Sequence, residues 1–195
     1  MVMDHKLLGI ELICFDLFGT LVEIREPRWP HLKLVRAMQG KGKCPHYRIL
    51  LTRSIPLAHV PSTFDAPVAS EALSAAQEDL SHELASIRLR DGVSAMLAGL
   101  SVPYAVCSNL SVDYAPALEI HPDLSPAFSV LSFEVGYVKP DPEIYEITLA
   151  KACLRPDQVL FVGDTPGADI EGPQKAGMRA MHIDDFMGAV AEDEP

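Results

Sequence analysis

The stretch from Leu12 to Val22 constrains the fold of this chain more than any other. It begins with an uninterrupted apolar run, Leu12 to Phe15, which ends at the carboxylate of Asp16. A short continuous apolar run is typical of a strand that is buried on both faces of a parallel sheet. Ligands bind at the carboxyl ends of such strands, so Asp16 is either a turn residue or a functional side chain.

The order of strands and helices after residue 90 indicates the rest of the fold. Here apolar strand-like runs alternate with helical patterns. The predicted strands span residues 104–107, 128–133, 158–162 and 179–183. The predicted helices span residues 91–99, 113–119 and 143–153, with a further short helix after residue 164. Because parallel strands need right-handed crossovers, the strand ends fall on one edge of a doubly wound parallel sheet, and we predict an α/β fold.

Residues 23–90 break this alternation, because helical patterns separated by prolines replace the strands. Helices are predicted over residues 30–38, 45–52 and 67–89. The third has an apolar face formed by Leu73, Ala76, Leu80, Leu84 and Ile87. Its acidic residues are expected to face water, and they are Glu71, Glu78, Asp79 and Glu83.

Composition limits the partners and the compartment. The 195 residues carry a formal net charge of −11, so no basic surplus is available to bind nucleic acid or an anionic membrane. No apolar run approaches the roughly 18 residues of a membrane span, and the N-terminal residues do not resemble a signal peptide. Four cysteines without CxxC spacing are expected to be small buried side chains in a reducing compartment: Cys14, Cys44, Cys107 and Cys153. We therefore predict a soluble cytoplasmic protein.

Polar residues occur at the ends of successive predicted strands or just beyond them. They are Asp16, Ser108 with Asn109, Lys139, and Asp164 with Asp169. Each of them alone is explained by a turn or a helix cap. Together at one sheet edge they indicate a single site, in which a lysine and a divalent ion would neutralise the repulsion between a carboxylate and a phosphorylated ligand.

These segments resemble the four motifs of the haloacid dehalogenase-like hydrolase superfamily. The segments are Phe15-Asp16-Leu17-Phe18-Gly19-Thr20, Ser108-Asn109, Lys139-Pro140-Asp141-Pro142, and Gly163-Asp164 with Asp169. The resemblance covers residues 10–22 and about 100–183. It implies a Rossmann-like catalytic core formed by residues 1–22 and 91–195, with residues 23–90 inserted as an α-helical cap.

The resemblance also implies a role for each site residue and a small phosphorylated substrate. Asp16 would be the nucleophile, and Lys139 would screen it from the substrate. The ligands of Mg²⁺ would be Asp16, the main-chain carbonyl of Phe18, Asp164 and Asp169. The groups around the transferring phosphoryl oxygens would come from Thr20, Ser108, Asn109 and Lys139.

Phe18 departs from the pattern of the family's phosphatases, which carry a general-acid Asp two residues after the nucleophile. A phenylalanine has no proton to donate, and general acid catalysis contributes about 10²–10⁴-fold. Alkyl phosphates are therefore expected to be poor substrates. The hydrolysis of acyl and aryl phosphates should be slowed less, because their leaving groups need less protonation.

Other functions remain open. An aromatic residue at position 18 also resembles the metal-free 2-haloacid dehalogenases, although these lack the acidic pair that Gly163-Asp164 and Asp169 provide here. Phosphonate hydrolysis would need an activated cap lysine, for which the candidates are Lys33, Lys41 and Lys43. A binding protein that keeps the site without turnover is a third alternative. Cap residues that would line a pocket, or merely pack, are Trp29, His46, Tyr47, Arg48, Arg53, His59 and Phe64. The sequence does not indicate an oligomeric state.

Overall fold

The computed structural model describes residues 8–38 and 47–191. In these ranges the strands are β1 (Leu12–Phe15), β2 (Val22–Ile24), β3 (Ile87–Leu89), β4 (Tyr104–Ser108), β5 (Ser129–Leu131), β6 (Val159–Gly163) and β7 (Arg179–His182). The α-helices are α1 (Pro30–Met38), α2 (Tyr47–Thr52), α3 (Val60–Thr63), α4 (Ser70–Ser86), α5 (Val93–Ala98), α6 (Ser132–Val135), α7 (Pro142–Ala152), α8 (Gly172–Lys175) and α9 (Ile183–Ala191). Short 3₁₀ helices span Leu57–His59, Val112–Glu119 and Pro156–Gln158, and a π-helix spans Pro166–Glu171.

A five-stranded parallel sheet forms the centre of the fold, in the order β5-β4-β1-β6-β7. β1 is the middle strand and is buried throughout. Its side chains alternate between two hydrophobic clusters, with Ile13 and Phe15 in one and Leu12 and Cys14 in the other. The prediction of a doubly wound parallel sheet with flanking helices is confirmed.

The segment between β1 and β4 has a hydrophobic cluster of its own. Leu34, Met38, Leu50, Leu57 and Val60 are all buried in it. The segment is attached through β2 and β3, an antiparallel pair that the sequence did not predict. The division of the chain into a core and a cap stays a prediction.

Several element boundaries differ from the predicted ones. The helix predicted over 67–89 is shorter, because residues 87–89 leave it to pair with β2. The strand predicted over 128–133 ends at Leu131, where α6 begins. The residue range 179–183 is a strand only as far as His182, and the helix α9 that follows was not predicted. The start of the helix predicted over 45–52 lies outside the described residues, and its remainder forms α2.

Two side chains occupy different environments from those predicted. Glu83 was expected to face water but is only 2% exposed, because three hydrogen-bond donors satisfy its carboxylate. Cys153 is exposed at the left-handed residue that ends α7, whereas Cys14 and Cys107 are buried as predicted. Cys44 lies outside the described residues. No helix in the described part of the chain combines the length and apolar character that crossing a membrane requires.

Candidate active site

Asp16 follows β1 at the carboxyl edge of the sheet and is 7% exposed. Its main-chain N–H donates to the carbonyl of Val162 at 2.9 Å, which holds the residue in line with β6. Its Oδ1 accepts two hydrogen bonds, from Ser108 Oγ at 2.9 Å and from Lys139 Nζ at 2.8 Å. One carboxylate oxygen of Asp16 is therefore fixed by side chains from two later segments of the chain.

Lys139 reaches this carboxylate from a loop beyond α6, and its side chain is 2% exposed. Its Nζ also donates to Asp169 Oδ1 at 2.7 Å, so one ammonium bridges two acids. Burial disfavours the charged amine, but the carboxylates of Asp16 and Asp169 outweigh this effect and raise the pKa of Lys139. Lys139 is therefore a fixed positive charge in the site.

Asn109 holds the main chain of Lys139 in place. Its Nδ2 donates to the Lys139 carbonyl at 2.8 Å, and its Oδ1 accepts from the Lys139 N–H at 2.7 Å. The amide side chain of Asn109 is thus occupied by two reciprocal hydrogen bonds. Its main chain, which is the part predicted to contact the substrate, takes no part in them.

Two further carboxylates face Asp16 across the sheet edge. Asp164 follows β6, and Asp169 lies in the π-helix, fully buried, with its Oδ2 accepting from the Thr165 N–H at 2.9 Å. One oxygen from each of Asp16, Asp164 and Asp169 lies within 4.8 Å of the others, and we call these three residues the acidic cluster. Gly19, at φ +83°, makes room for it, because a Cβ there would lie 2.2 Å from Asp164 Oδ2.

The acidic cluster has the composition of a site for a hard divalent cation. Carboxylate oxygens at this spacing suit Mg²⁺, which prefers a few protein oxygens and completes its shell with water and substrate. Burial raises the pKa of Asp16, the nearby Lys139 ammonium opposes that shift, and Asp169 adds to it. Three carboxylates thus face one ammonium, and a divalent ion would balance the excess negative charge.

Thr20, the residue after Gly19, carries an unpaired polar group. Its side chain is fully buried, and among the described residues its Oγ1 has no hydrogen-bond partner. A buried hydroxyl without a partner is costly, so the observation favours a ligand that supplies one.

A cavity of about 560 Å³ opens beside Phe18 and separates the sheet edge from the helical segment. The ring of Phe18 packs edge-to-face on Tyr114, with centroids 5.7 Å apart. Of the predicted cap candidates, Trp29 and Tyr47 line the cavity, while Arg48, Arg53, His59 and Phe64 do not. His46 lies outside the described residues.

Sequence reasoning missed several polar residues in the cavity wall, among them Glu83, Tyr114 and His31. Glu83 accepts from Tyr114 Oη, and burial together with that bond raises the pKa of Tyr114. His31 Nε2 lies 2.9 Å from Asp113 Oδ2. The motifs give no signal for these residues, because they come from α1, α4 and a 3₁₀ helix that meet only in the folded chain.

The chain is similar to known proteins in sequence and in fold. The sequence profile described as haloacid dehalogenase-like hydrolase matches residues 13–183. The chain is 38% identical over 55 residues to a phosphoserine phosphatase of Thermus thermophilus, an alignment that covers 28% of this chain and 22% of that protein. The chain thus matches less than a quarter of the length of this curated relative.

Two solved structures share the fold. A 2-haloacid dehalogenase from Pseudomonas syringae pv. Tomato DC3000 is 24% identical with a TM-score of 0.58, over 88% of this chain and 85% of that chain. A haloacid dehalogenase family enzyme from Bacteroides thetaiotaomicron, in complex with magnesium and inorganic phosphate, is 16% identical with a TM-score of 0.62, over 89% of this chain and 94% of that chain.

Proposed function

Because the chain belongs to the haloacid dehalogenase-like hydrolase family, we propose that it is a Mg²⁺-dependent phosphatase that acts on a small phosphorylated metabolite. The observation that carries the proposal is the pairing of the Asp16 carboxylate with the Lys139 ammonium inside the acidic cluster. A phosphatase of Thermus thermophilus among the curated relatives supports the reaction class.

Mg²⁺ would be held by the acidic cluster and the main-chain carbonyl of Phe18, and when bound it would neutralise charge on the phosphoryl oxygens. Asp169 would contact the ion through water, because its two oxygens already accept from Lys139 and Thr165. Asp164 is partly exposed and would offer an oxygen directly.

Asp16 would act as the nucleophile. One of its oxygens is held by Ser108 and Lys139, which leaves the other oxygen to attack. The new bond joins this oxygen to phosphorus, and the bond from phosphorus to the leaving oxygen breaks with its electron pair going to the leaving group. Water then attacks the aspartyl phosphate, which releases phosphate and restores the Asp16 carboxylate. The proton of that water passes to solvent.

The remaining polar groups would stabilise the transferring phosphoryl group. The unpaired hydroxyl of Thr20 would donate to one oxygen, and the third N–H of Lys139 would donate to another. The single hydroxyl proton of Ser108 would turn from Asp16 to the phosphoryl group as charge develops there. Phe18 offers the leaving group no proton, so ionisation of the leaving alcohol would limit the rate on alkyl esters.

A substrate panel with and without Mg²⁺ tests the proposal. We expect Mg²⁺-dependent phosphate release that is abolished by Asp16→Asn and retained by Asp91→Asn, a matched change at a 99% exposed side chain. Metal-independent turnover of 2-chloropropionate would instead identify a dehalogenase. Binding of vanadate or beryllofluoride without turnover of any substrate would identify a binding protein.

A further inference from the structure

The cavity beside Phe18 has a lining that selects one kind of leaving group. We propose that the substrate is an aryl phosphate, in which phosphate is esterified to an uncharged aromatic alcohol. This inference rests on the phosphatase activity proposed above and adds the chemistry of the group that leaves. Acyl and alkyl phosphates, and phosphates with a second anionic group, are the alternatives that it excludes.

The walls of the cavity are mainly aromatic and aliphatic. Side chains that line it include Phe18, Ile24, Trp29, Leu51 and Tyr114. Its volume of about 560 Å³ falls within the range of about 300–1,000 Å³ typical of small-molecule sites, so it accommodates one or two fused rings. Phe18 and Tyr114 already form an edge-to-face pair, an arrangement that a third ring extends.

Trp29 is held over this cavity in an unusual conformation. Its backbone is left-handed, with φ +61°, which is rare for a bulky residue, and its side chain is 65% exposed. Its main-chain N–H donates to Glu83 Oε1 at 2.7 Å, and this partly buried hydrogen bond helps to hold the conformation. Strained residues persist where the surrounding structure fixes them, often at ligand clamps. An aromatic ligand would cover the exposed indole.

The charges in the wall disfavour a second anionic group on the substrate. Glu23 and Glu83 line the cavity, and none of the described lining residues is a lysine or an arginine. Among the described lining residues His31 is the basic side chain, and its Nε2 already lies 2.9 Å from Asp113 Oδ2. In this described part of the wall, a carboxylate or a second phosphate would therefore meet like charge and no unpaired cation.

Both carboxylate oxygens of Glu83 already accept hydrogen bonds. One oxygen accepts from the N–H groups of Arg28 and Trp29, and the other accepts from Tyr114. A polar leaving group would find few groups to bind and would lose its hydration. An uncharged ring loses little hydration and gains burial.

The chemistry of position 18 selects the same class independently. An alkoxide is a poor leaving group unless an acid protonates it, and Phe18 supplies no acid. A phenol ionises near pH 10, far more readily than an alkyl alcohol, and leaves without that help. Acyl phosphates also have a good leaving group, a carboxylate, but acetyl phosphate is too small and polar to contact the apolar walls. An aryl phosphate fits the apolar lining and has a leaving group that needs no general acid.

Five substrates with Mg²⁺ separate these alternatives: 2-naphthyl phosphate, phenyl phosphate, 4-carboxyphenyl phosphate, acetyl phosphate and the alkyl ester glycerol 2-phosphate. We expect kcat/KM to be highest for 2-naphthyl phosphate and at least about tenfold lower for each of the last three, and a preference for glycerol 2-phosphate would overturn the aryl class. Leu51→Lys places a cation in the wall and should reduce the preference for 2-naphthyl over 4-carboxyphenyl phosphate about tenfold. The matched control is Ile120→Lys, at an exposed residue outside the cavity, and should leave the preference unchanged.

Binding is measured separately from turnover through Trp29, because the chain contains one tryptophan. The probe is 4-nitrobenzylphosphonate, which has no ester bond to cleave and whose ring quenches indole fluorescence. We expect saturable quenching that Leu51→Lys weakens about tenfold and Ile120→Lys does not change.

The outcomes distinguish this inference from the function it rests on. Turnover that Asp16→Asn does not abolish would refute the phosphatase and the aryl substrate together. Asp16-dependent turnover with acetyl or 4-carboxyphenyl phosphate preferred, or with no quenching of Trp29, would overturn the substrate class and leave the phosphatase intact. Faster turnover of a phosphotyrosyl peptide than of 2-naphthyl phosphate would support the aryl ester and assign its source to a protein.

Discussion

Replacing Phe18 with aspartate should convert this site into one that hydrolyses alkyl phosphates. The side chain at position 18 lines the cavity two residues after Asp16, so a carboxylic acid there would face the leaving oxygen. Position 18 is half-buried in a mainly apolar wall, and this burial would raise the pKa of the new carboxyl and favour the protonated form that an acid requires. The change therefore supplies the proton donor that phosphatases of this family carry.

The gain and the cost of Phe18→Asp both follow from the structure. A general acid lowers the barrier by about 3–5 kcal/mol, which corresponds to about 10²–10⁴-fold in rate. Losing the ring pair with Tyr114 costs about 0.5–1.5 kcal/mol, and losing the remaining burial of a half-buried ring costs about 1–2 kcal/mol more. We expect kcat/KM for glycerol 2-phosphate to rise about 10²-fold while the free energy of unfolding falls by about 2–3 kcal/mol.

The matched control is Phe18→Asn, which has the size of aspartate but cannot serve as a general acid. Phosphate release from glycerol 2-phosphate and from phenyl phosphate should be measured with Mg²⁺ for both variants, with urea unfolding to confirm that each is folded. The rate on phenyl phosphate should change much less than the rate on glycerol 2-phosphate. Equal rates of the two folded variants on glycerol 2-phosphate would refute the idea that Phe18 limits the chemistry.

Three further changes test the supports of the site. Asn109→Leu removes both hydrogen bonds to the main chain of Lys139 and should lower the free energy of unfolding by about 2–4 kcal/mol in urea titrations, with a loss in kcat greater than the change in KM. Gly19→Ala places a Cβ 2.2 Å from a carboxylate oxygen of the acidic cluster and should weaken Mg²⁺ binding at least about tenfold by calorimetry, whereas Gly188→Ala, with open space around it, should not. Tyr114→Phe should remove a pH dependence of stability. Burial raises the pKa of this phenol above its unfolded value of about 10, so its contribution to stability is present below about pH 10 and is lost as the pH rises further. The difference in unfolding free energy between wild type and variant should therefore shrink from pH 9 to about pH 11.

The parallel sheet and the residues at its edge were predictable because short-range patterns encode them. An apolar run such as Leu12 to Phe15 marks a buried strand whatever it packs against, and right-handed crossovers then bring the strand ends to one edge. Asp16, Ser108 and Asp164 follow directly from that reasoning, because each lies at the end of a strand or next to it.

The features that were not predicted depend on contacts between distant parts of the chain. Glu83 looked like a solvent-facing acid, since the residues that bury it are far from it in the sequence. β3 continues the helical pattern of α4 and becomes a strand only because β2 pairs with it. The two hydrogen bonds that the side chain of Asn109 makes to the main chain of Lys139, thirty residues later, were not predicted either. A single sequence gives no information on such pairings.

The central place of β1 in the sheet has a consequence for folding. Its two partners, β4 and β6, are strands at 104–108 and 159–163, so one edge of β1 stays unpaired until more than half of the 195 residues have been synthesised, and the other until most have been. Closing loops of this length costs entropy before any pairing compensates it, which slows folding. The segment with its own hydrophobic cluster is held by contacts closer in the sequence, so we expect it to form earlier. Asp16, the proposed nucleophile, therefore follows a strand that pairs only with distant segments of the chain. Until those segments are present, the unpaired edges of β1 are exposed and favour aggregation.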